Sequence, residues 1–218
     1  SPDGTLSRIR SWARGEYAPA RSSGAPLAIN WPAGGVEFTE REAACDEVDI
    51  AALPVLTLVD TGANRGYAGG NNVALRWLQS DRAWDYAWVL NPDTAIDPGA
   101  MGALVARAQS EPSLGVIGAR ILSYREPNLV QVWGGGQFRT LRASGVNIGL
   151  GRGANEVPST AAIERRMDYV SGCSLFFRRA FLERAGLMEE SFFLYFEEVD
   201  WCLRRGDLKL GYAHDAIV

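Results

Sequence analysis

Short apolar runs alternate with segments of helical periodicity through the middle of the chain. The runs at 55–59, 86–91 and 114–121 have the length of buried strands and end at turn residues. Between them, residues 71–80 and 98–109 carry apolar side chains at helical spacing. Strands that alternate with helices predict an α/β fold with a mostly parallel, Rossmann-like central sheet flanked by helices.

The pattern is less regular outside this alternating part. Residues 6–14 have the spacing of a short amphipathic helix, whereas 16–49 are rich in Pro, Gly and Ala and predict an insertion or variable loop. Residues 130–138 contain three consecutive glycines and predict a hairpin or bulge, and 144–160 predict a mobile glycine-rich loop. Further elements are predicted at 168–177 (turn then strand), 179–185 and 197–205 (helices) and 208–218 (strand).

Composition narrows the class of protein. The chain has 218 residues, of which 47% are hydrophobic and 22% charged, as in an ordinary globular domain. The net charge is −4 and no long basic stripe occurs, so a nucleic acid is not the expected partner. No apolar run reaches transmembrane length. The cysteines have an odd count and no metal-site spacing, which indicates a reducing compartment; they are Cys45, Cys173 and Cys202.

Residues 192–205 carry the most informative motif. An aromatic run leads into three carboxylates, Glu197, Glu198 and Asp200, at the start of a predicted helix. Carboxylates at a helix N-terminus stay ionised and oriented, and an oriented carboxylate beside an apolar wall suits a general base. The alternative is a charged helix start in which Asp200 faces Arg204 at i+4.

A second carboxylate follows a predicted buried strand. The run 86–90 ends in Asn91-Pro92-Asp93, and proline terminates the strand because it lacks an N–H donor. Ligands of open α/β sheets bind at the carboxyl ends of the strands, so Asp93 is a candidate ligand for Mg²⁺ or Mn²⁺. The alternative is a plain Asn-Pro-Asp turn.

A glycine-rich segment separates the strand at 55–59 from the helix at 71–80. It reads DTGANRGYAGGNN from 60 to 72. Glycines before a helix let backbone amides approach a phosphate, and Arg65 can add a charge-assisted bond to a diphosphate. The spacing is not that of a dinucleotide fingerprint. A flexible connection is the alternative.

Taken in order, the motifs resemble glycosyltransferase family 2 and, within it, the bacterial rhamnosyltransferase-like branch. The resemblance implies a GT-A fold with a small antiparallel part on the acceptor side, a nucleoside-diphosphate sugar donor, a divalent metal, and inversion at the anomeric carbon. The matching stretches are SPDGT (1–5), NRGYAGGNN (64–72), VLNPDT (89–94), DYVSGCSLFFRR (168–179) and SFFLYFEEVDWCLRRG (191–206).

The resemblance also implies roles for individual residues. Asp93 corresponds to the last Asp of the family's D-x-D motif, and Asn91 stands where many members have the first Asp. Glu198 corresponds to the second acid of the family's Glu-Asp pair, the expected general base, with Glu in place of Asp. The acceptor-side residues are Gly172, Glu197, Asp200 and Trp201, with core packing as the alternative for Trp201. The donor-binding residues are Asn64, Arg65, Gly66, Gly69 and Gly70.

The implied partners are the nucleotide sugar and a glycan or lipid-linked glycan acceptor. The resemblance implies a cytoplasmic protein, with acceptors at the inner face of the membrane and membrane contact, if any, of the peripheral kind. We expect residues 1–218 to be a single domain that is incomplete at both ends, because the family's first strands and a metal-binding His after its last strand have no counterpart in it. His214 lies within the predicted last strand, so we expect it to be structural or exposed.

Three other functions fit some of these features. The Asn91 and Glu198 departures are compatible with a catalytically degenerate nucleotide- or glycan-binding domain. A nucleotidyltransferase on a related sheet would release pyrophosphate from a nucleoside triphosphate. A nicotinamide-dependent enzyme would need a different glycine spacing.

Overall fold

A computed structural model describes residues 4–16, 35–43 and 48–218. Cys45, most of the SPDGT stretch and most of the segment 16–49 lie outside the described residues. The helices are α1 (Thr5–Ala13), α2 (Gly66–Ser80), α3 (Ala100–Ser110), α4 (Thr160–Glu164), α5 (Arg179–Ala185) and α6 (Glu197–Leu203). The strands are β1 (Phe38–Glu42), β2 (Leu56–Asp60), β3 (Tyr86–Leu90), β4 (Leu114–Leu122), β5 (Val130–Trp133), β6 (Gly135–Arg139), β7 (Ser144–Asn147), β8 (Tyr169–Val170), β9 (Ser174–Arg178) and β10 (Lys209–Ile217).

The central sheet has the order β10-β4-β9-β3, with β5 paired to the end of β4. β10 and β4 are parallel, whereas β9 is antiparallel to both β4 and β3. The sheet is therefore mixed, not mostly parallel as the alternation predicted. The alternation of strands and helices stops after β4. β9 lies between β3 and β4 and is antiparallel to both, so it does not need the helical crossover that connects parallel neighbours.

Two described strands lie outside this sheet as a parallel pair. β1 pairs with β2 in register from Phe38 opposite Leu56 to Glu42 opposite Asp60. The prediction of an irregular insertion over 16–49 is therefore wrong for β1. Its sequence, FTERE, has a single large apolar residue, so it gives little strand signal by itself.

A small antiparallel sheet has the order β7-β6-β8. β5 and β6 do not form the predicted hairpin, because β5 pairs with β4 whereas β6 pairs with β7 and β8. The chain passes from one sheet to the other at Gly134, which has φ of 72°. A Cβ on Gly118 would lie 2.0 Å from the Gly134 carbonyl oxygen, so this crossing needs glycine. Part of the predicted mobile loop 144–160 is strand β7.

The main core lies between the central sheet and the helices α2, α5 and α6. Phe177 of β9, Phe181 of α5 and Trp201 of α6 are fully buried, and their rings meet edge to face. A second core packs α3 against the other face of the sheet around Leu104, Ile117 and Phe176. Among the described residues, no helix has the length and apolar character needed to cross a membrane.

Candidate active site

The carboxyl ends of β3, β4 and β10 meet at one edge of the central sheet. These three strands run in the same direction, because β9 is antiparallel to both of its neighbours and β10 is parallel to β4. The turn at 171–173, which leads into β9, lies at the same edge, and the Asn91 amide donates to the Cys173 carbonyl oxygen at 3.0 Å. Loops from four strands therefore converge where ligands of α/β sheets bind.

Asp93 lies in the turn that follows β3, as predicted. The Thr94 amide and hydroxyl both donate to the Asn91 carbonyl oxygen, at 3.3 and 2.7 Å, and fix this turn. The Asp93 side chain is exposed and lines a cavity of about 230 Å³. The other walls of this cavity come from the ends of β4 and β10 and from the 123–127 loop.

Glu198 lines a second cavity of about 210 Å³. Asn91 and Cys173 line both cavities, so Asp93 and Glu198 lie on two sides of one shared wall. The second cavity is lined by Tyr67, Asn91, Ser171, Gly172, Cys173, Leu194, Tyr195, Glu197 and Glu198.

Burial determines the chemistry of Glu198. It raises the pKa of the Glu198 carboxyl, and the neighbouring Glu197 carboxylate raises it further, while a bond from the Glu198 amide acts in the opposite direction. A carboxylate with a raised pKa is a stronger base than an exposed one and keeps its acid–base function closer to neutral pH. Glu197 itself is 1% exposed, and its Oε1 atom has no hydrogen-bond partner among the described residues.

The other two predicted acceptor-side residues of α6 have structural contacts. The Asp200 carboxylate accepts from the Arg204 guanidinium at 2.9 Å, which confirms the i+4 pair that the sequence offered as an alternative. Arg204 also donates to the carbonyl oxygens of Ala185 and Leu187. Trp201 is fully buried and its indole donates to the Gly186 carbonyl oxygen at 2.7 Å. Its position corrects the acceptor-side assignment, because a core side chain with no exposed surface does not reach an acceptor.

Gly172 lies in the second cavity, and its lack of a side chain leaves room beside Glu198. A Cβ at this position would lie 3.4 Å from the Tyr67 hydroxyl oxygen and 3.5 Å from the Glu198 Cβ. The Tyr67 hydroxyl donates to the Gly172 carbonyl oxygen at 2.5 Å. Burial raises the pKa of the Tyr67 hydroxyl, and the Glu198 carboxylate adds to that shift, so this group stays a protonated donor.

The glycine-rich segment is not the loop that the sequence predicted. α2 starts at Gly66 rather than at residue 71, so Gly66, Gly69 and Gly70 belong to its first two turns. The Gly66 amide donates to the Asn64 side chain at 3.0 Å, and the Tyr67 amide donates to the Phe193 carbonyl oxygen at 3.4 Å. These two amides already have protein acceptors, so in this conformation they are not offered to a diphosphate.

Contacts between α2 and the segment before α6 give the glycine-rich motif a second role. Gly66 has φ of 68°, and a Cβ there would lie 2.3 Å from the Phe193 carbonyl oxygen. The buried Asn72 side chain donates to the Met188 carbonyl oxygen and accepts from the Met188 amide, both at 2.9 Å. The glycine-rich motif therefore fixes the position of the segment that precedes Glu198.

The predicted donor-binding residues lie beside the cavities rather than in their walls. The Arg65 Nε atom donates to the Thr61 carbonyl oxygen at 3.2 Å, and its side chain is exposed. Tyr67, the next residue but one, is the member of this motif that reaches the Glu198 cavity. Sequence reasoning missed Tyr67, although it lies within a quoted motif, whereas Ser171 and Cys173 are the neighbours of Gly172 in the turn that the resemblance assigned to the acceptor side.

The residues near Asp93 fit a divalent cation as partial ligands. Asp93 offers one carboxylate and Asn91 an amide oxygen, and oxygen is the ligand that Mg²⁺ and Mn²⁺ prefer. No cluster of three or more His, Cys, Asp or Glu that could hold a metal occurs in the described part of the chain. The donor set therefore suits a cation that shares its ligands with a substrate phosphate. His214 is in β10, where Tyr212 and Arg120 contact its ring nitrogens, and its position confirms a structural role.

The fold and the site define an α/β protein with an acidic cleft at the carboxyl edge of its sheet. Residues 42–183, more than half of the chain, match the family described as Glycosyl transferase family 2. The chain belongs to this family, and its α/β fold is the GT-A fold that the family implies.

Curated relatives support the same assignment. The chain is 30% identical over 156 residues to the low-salt glycan biosynthesis hexosyltransferase Agl10 of Haloferax volcanii, covering 70% of this chain and 48% of the relative. It is also 30% identical over 166 residues to the N-acetylglucosaminyl-diphospho-decaprenol L-rhamnosyltransferase of Mycobacterium tuberculosis, covering 69% of this chain and 53% of the relative. The chain thus spans about half the length of the curated relatives it matches.

Proposed function

We propose that this protein transfers a hexosyl group, with rhamnose as the candidate sugar, from a nucleoside diphosphate to a hydroxyl of a glycan or lipid-linked glycan. The observation that carries the proposal is the shared wall of Asn91 and Cys173, which separates a base from a candidate metal ligand. Family membership supports the reaction class, and the relative named for L-rhamnosyl transfer supports the sugar.

Glu198 is the proposed general base. Its carboxylate takes the proton of the acceptor hydroxyl as that oxygen bonds to the anomeric carbon. The bond from the anomeric carbon to the diphosphate oxygen breaks at the same time, and its electron pair leaves with the nucleoside diphosphate. Attack from the face opposite the leaving group inverts the anomeric centre. The half-buried position and raised pKa of Glu198 support this role.

Asp93 and Asn91 are the proposed protein ligands for Mg²⁺ or Mn²⁺. When bound, the cation supplies charge neutralisation on the diphosphate leaving group. The exposed Asp93 carboxylate, in a turn fixed by Thr94, supports this position for a ligand that enters from solvent. Asn64, Arg65, Gly66, Gly69 and Gly70 remain the proposed donor side, with Arg65 as the ligand-contacting residue and the other four shaping the backbone around it. Because the Gly66 and Tyr67 amides already have acceptors, we assign diphosphate contact there to Arg65 alone.

The acceptor enters beside Gly172. The space next to the Glu198 carboxyl, bounded by Tyr67, Ser171 and Tyr195, is the proposed position of the acceptor sugar. The exposed aromatic ring of Tyr195 is the side chain placed to contact it, and the buried Glu197 lies behind Glu198 on this proposed acceptor side. The relative's name specifies an N-acetylglucosaminyl-diphospho-decaprenol, which makes a diphospho-lipid-linked sugar the first acceptor to test.

Release of nucleoside diphosphate tests the proposal. The full-length protein is incubated with UDP-glucose, dTDP-rhamnose or GDP-mannose, with an acceptor extract, and with or without Mn²⁺. We expect metal-dependent release with one of these donors, and loss of release with Glu198→Gln while donor binding persists. Nucleotide binding without release would support the degenerate binding domain instead. Turnover retained in Glu198→Gln would remove this residue from the base role.

A further inference from the structure

An exposed apolar loop lies directly beside the Glu198 cavity. The residues at 192–195, Phe-Phe-Leu-Tyr, form this apolar loop, and Phe193, Leu194 and Tyr195 are 58%, 60% and 69% exposed. Leu194 and Tyr195 also line the cavity. Consecutive exposed apolar residues of this size mark an interaction site more often than a free surface.

The backbone of the loop is held in place. Tyr195 and Phe196 both have φ of 74°, an uncommon conformation for residues other than glycine. The Phe193 carbonyl oxygen accepts from the Tyr67 amide, and the Phe196 ring packs edge to face on Phe138 with centroids 5.8 Å apart. Such strain persists where surrounding contacts enforce it and is typical of ligand-binding segments. The apolar side chains are therefore presented outward by a fixed loop.

Basic residues flank the apolar loop on both sides. Phe138 is followed by the exposed Arg139, which ends β6, and by the exposed Leu141 and Arg142 of the β6–β7 turn. Leu141 is three residues after Phe138, so its Cα lies within about 11 Å of that of Phe138. On the other side the exposed Arg65 precedes Gly66, which contacts the loop backbone. Of the two carboxylates before the loop, Glu190 is paired with Arg76, whereas Glu189 accepts from the Ser191 amide and keeps its charge.

We propose that the apolar loop and the β6–β7 turn dock the protein on the surface of an anionic lipid bilayer. Exposed apolar side chains flanked by arginines suit that surface, because the apolar groups enter the headgroup layer while the cations meet anionic lipid. The net charge of the chain is −4, so attraction to such a bilayer must come from a local basic face. This docking role rests on the proposed function, because a lipid-linked acceptor lies in a membrane and its sugar must reach Glu198.

Vesicle sedimentation tests the docking surface. The full-length protein is mixed with vesicles of phosphatidylcholine alone or of equal parts phosphatidylcholine and phosphatidylglycerol, without donor or acceptor. We expect binding to the mixed vesicles that falls with added salt. Phe193→Ser with Leu141→Ser should weaken binding on the order of tenfold. Arg139→Gln with Arg142→Gln should weaken it by a similar factor and reduce its salt dependence.

Control variants distinguish binding through this surface from nonspecific adsorption to the vesicles. Val55→Ser removes an apolar side chain that is 89% exposed just before β2, and Arg8→Gln with Arg82→Gln removes the same charge from other exposed positions. Both controls should bind like the wild type. Absence of wild-type binding to the mixed vesicles, or equal losses in the controls, would overturn the docking role and leave a protein partner to be sought.

Transfer to a water-soluble acceptor glycoside distinguishes the two proposals. The surface variants should retain this transfer while they lose vesicle binding. Vesicle binding in a protein that transfers no sugar would contradict the proposed function and leave the docking surface standing. Thermal unfolding of each variant confirms that it folds, and the apolar and basic variants test the surface independently.

Discussion

The Tyr67 hydroxyl donates to the carbonyl oxygen of Gly172, 105 positions away, and thereby joins α2 to the turn that walls the candidate base. Tyr67→Phe removes this bond and nothing else of the side chain. We expect a loss of about 1 kcal/mol in the free energy of unfolding. We also expect a lower kcat with little change in donor binding, because the Gly172 turn loses its anchor beside Glu198. Equal kcat in both proteins would show that the bond has no positioning role.

The pH dependence of transfer should report the coupling between Glu197 and Glu198. As the proposed base, Glu198 must be ionised, and its pKa is raised, so activity should fall with decreasing pH at a higher pH than for an ordinary glutamate. Glu197→Gln removes the nearby negative charge while keeping the shape. Its acid limb in kcat/KM should therefore shift to lower pH. A shift to higher pH, or none, would contradict the electrostatic coupling.

The same raised pKa has a consequence for stability. A glutamate whose pKa is higher in the folded than in the unfolded state favours folding at low pH, and this contribution is lost as pH rises through the folded value. Glu198→Gln cannot ionise. The variant should therefore be more stable than the wild type at neutral pH, and the difference should shrink in acid. Urea unfolding at two pH values measures this stability difference. A variant that is less stable than the wild type at neutral pH would contradict the prediction.

Asn72 should be the more important of the two adjacent asparagines in α2. Its buried side chain bonds both the amide and the carbonyl of Met188, so Asn72→Ala leaves two buried backbone groups without partners. We expect a loss of about 2 to 4 kcal/mol in urea unfolding. Asn71→Ala is the matched control, because its side chain makes a single bond to the Tyr67 carbonyl oxygen. Its loss should stay within about 1 kcal/mol.

The glycines of α2 should differ in their tolerance of alanine. Gly66→Ala combines a positive φ with a Cβ 2.3 Å from the Phe193 carbonyl oxygen, so it should destabilise the protein by about 2 kcal/mol or more and displace the apolar loop. Gly70→Ala meets no atom within 4 Å, and alanine is the better helix former, so it should stabilise by about 0.5 to 1 kcal/mol. Thermal unfolding compares them, and similar effects would refute the packing explanation.

Elements set by the local sequence pattern were predicted more accurately than elements set by contacts between distant residues. The strands and helices around Asp93, and the helix that begins at Glu197, follow from local periodicity and were predicted with small errors. The start of α2 was not, because glycines are poor helix formers and a carbonyl group from residue 193 supplies the contact that favours the helix. The antiparallel direction of β9 was also not predicted, because its partners β3 and β4 are far away in the chain.

The residues of the candidate site also fall into two groups: those that the local sequence pattern indicates and those that only tertiary packing places. Asp93 and Glu198 stand out as carboxylates after a strand and at a helix start, and the structure places them on two sides of a shared wall. Trp201 shares the motif with Glu198, yet helical geometry directs it into the core. Tyr67 reaches the site only through the packing of α2 against the Gly172 turn, which no local pattern encodes.

Because Cys173 and Asn91 line both cavities, a ligand in one cavity meets the same two side chains as a ligand in the other. A change in bulk at Cys173 moves a surface that faces the candidate metal ligand on one side and the proposed base on the other. Residues that share a partner in this way show non-additive effects when mutated together. For the proposed transfer, engineering a new sugar preference should therefore vary Asn91 and Cys173 as a pair with the acceptor present, since libraries selected on one ligand alone would miss combinations that work only jointly.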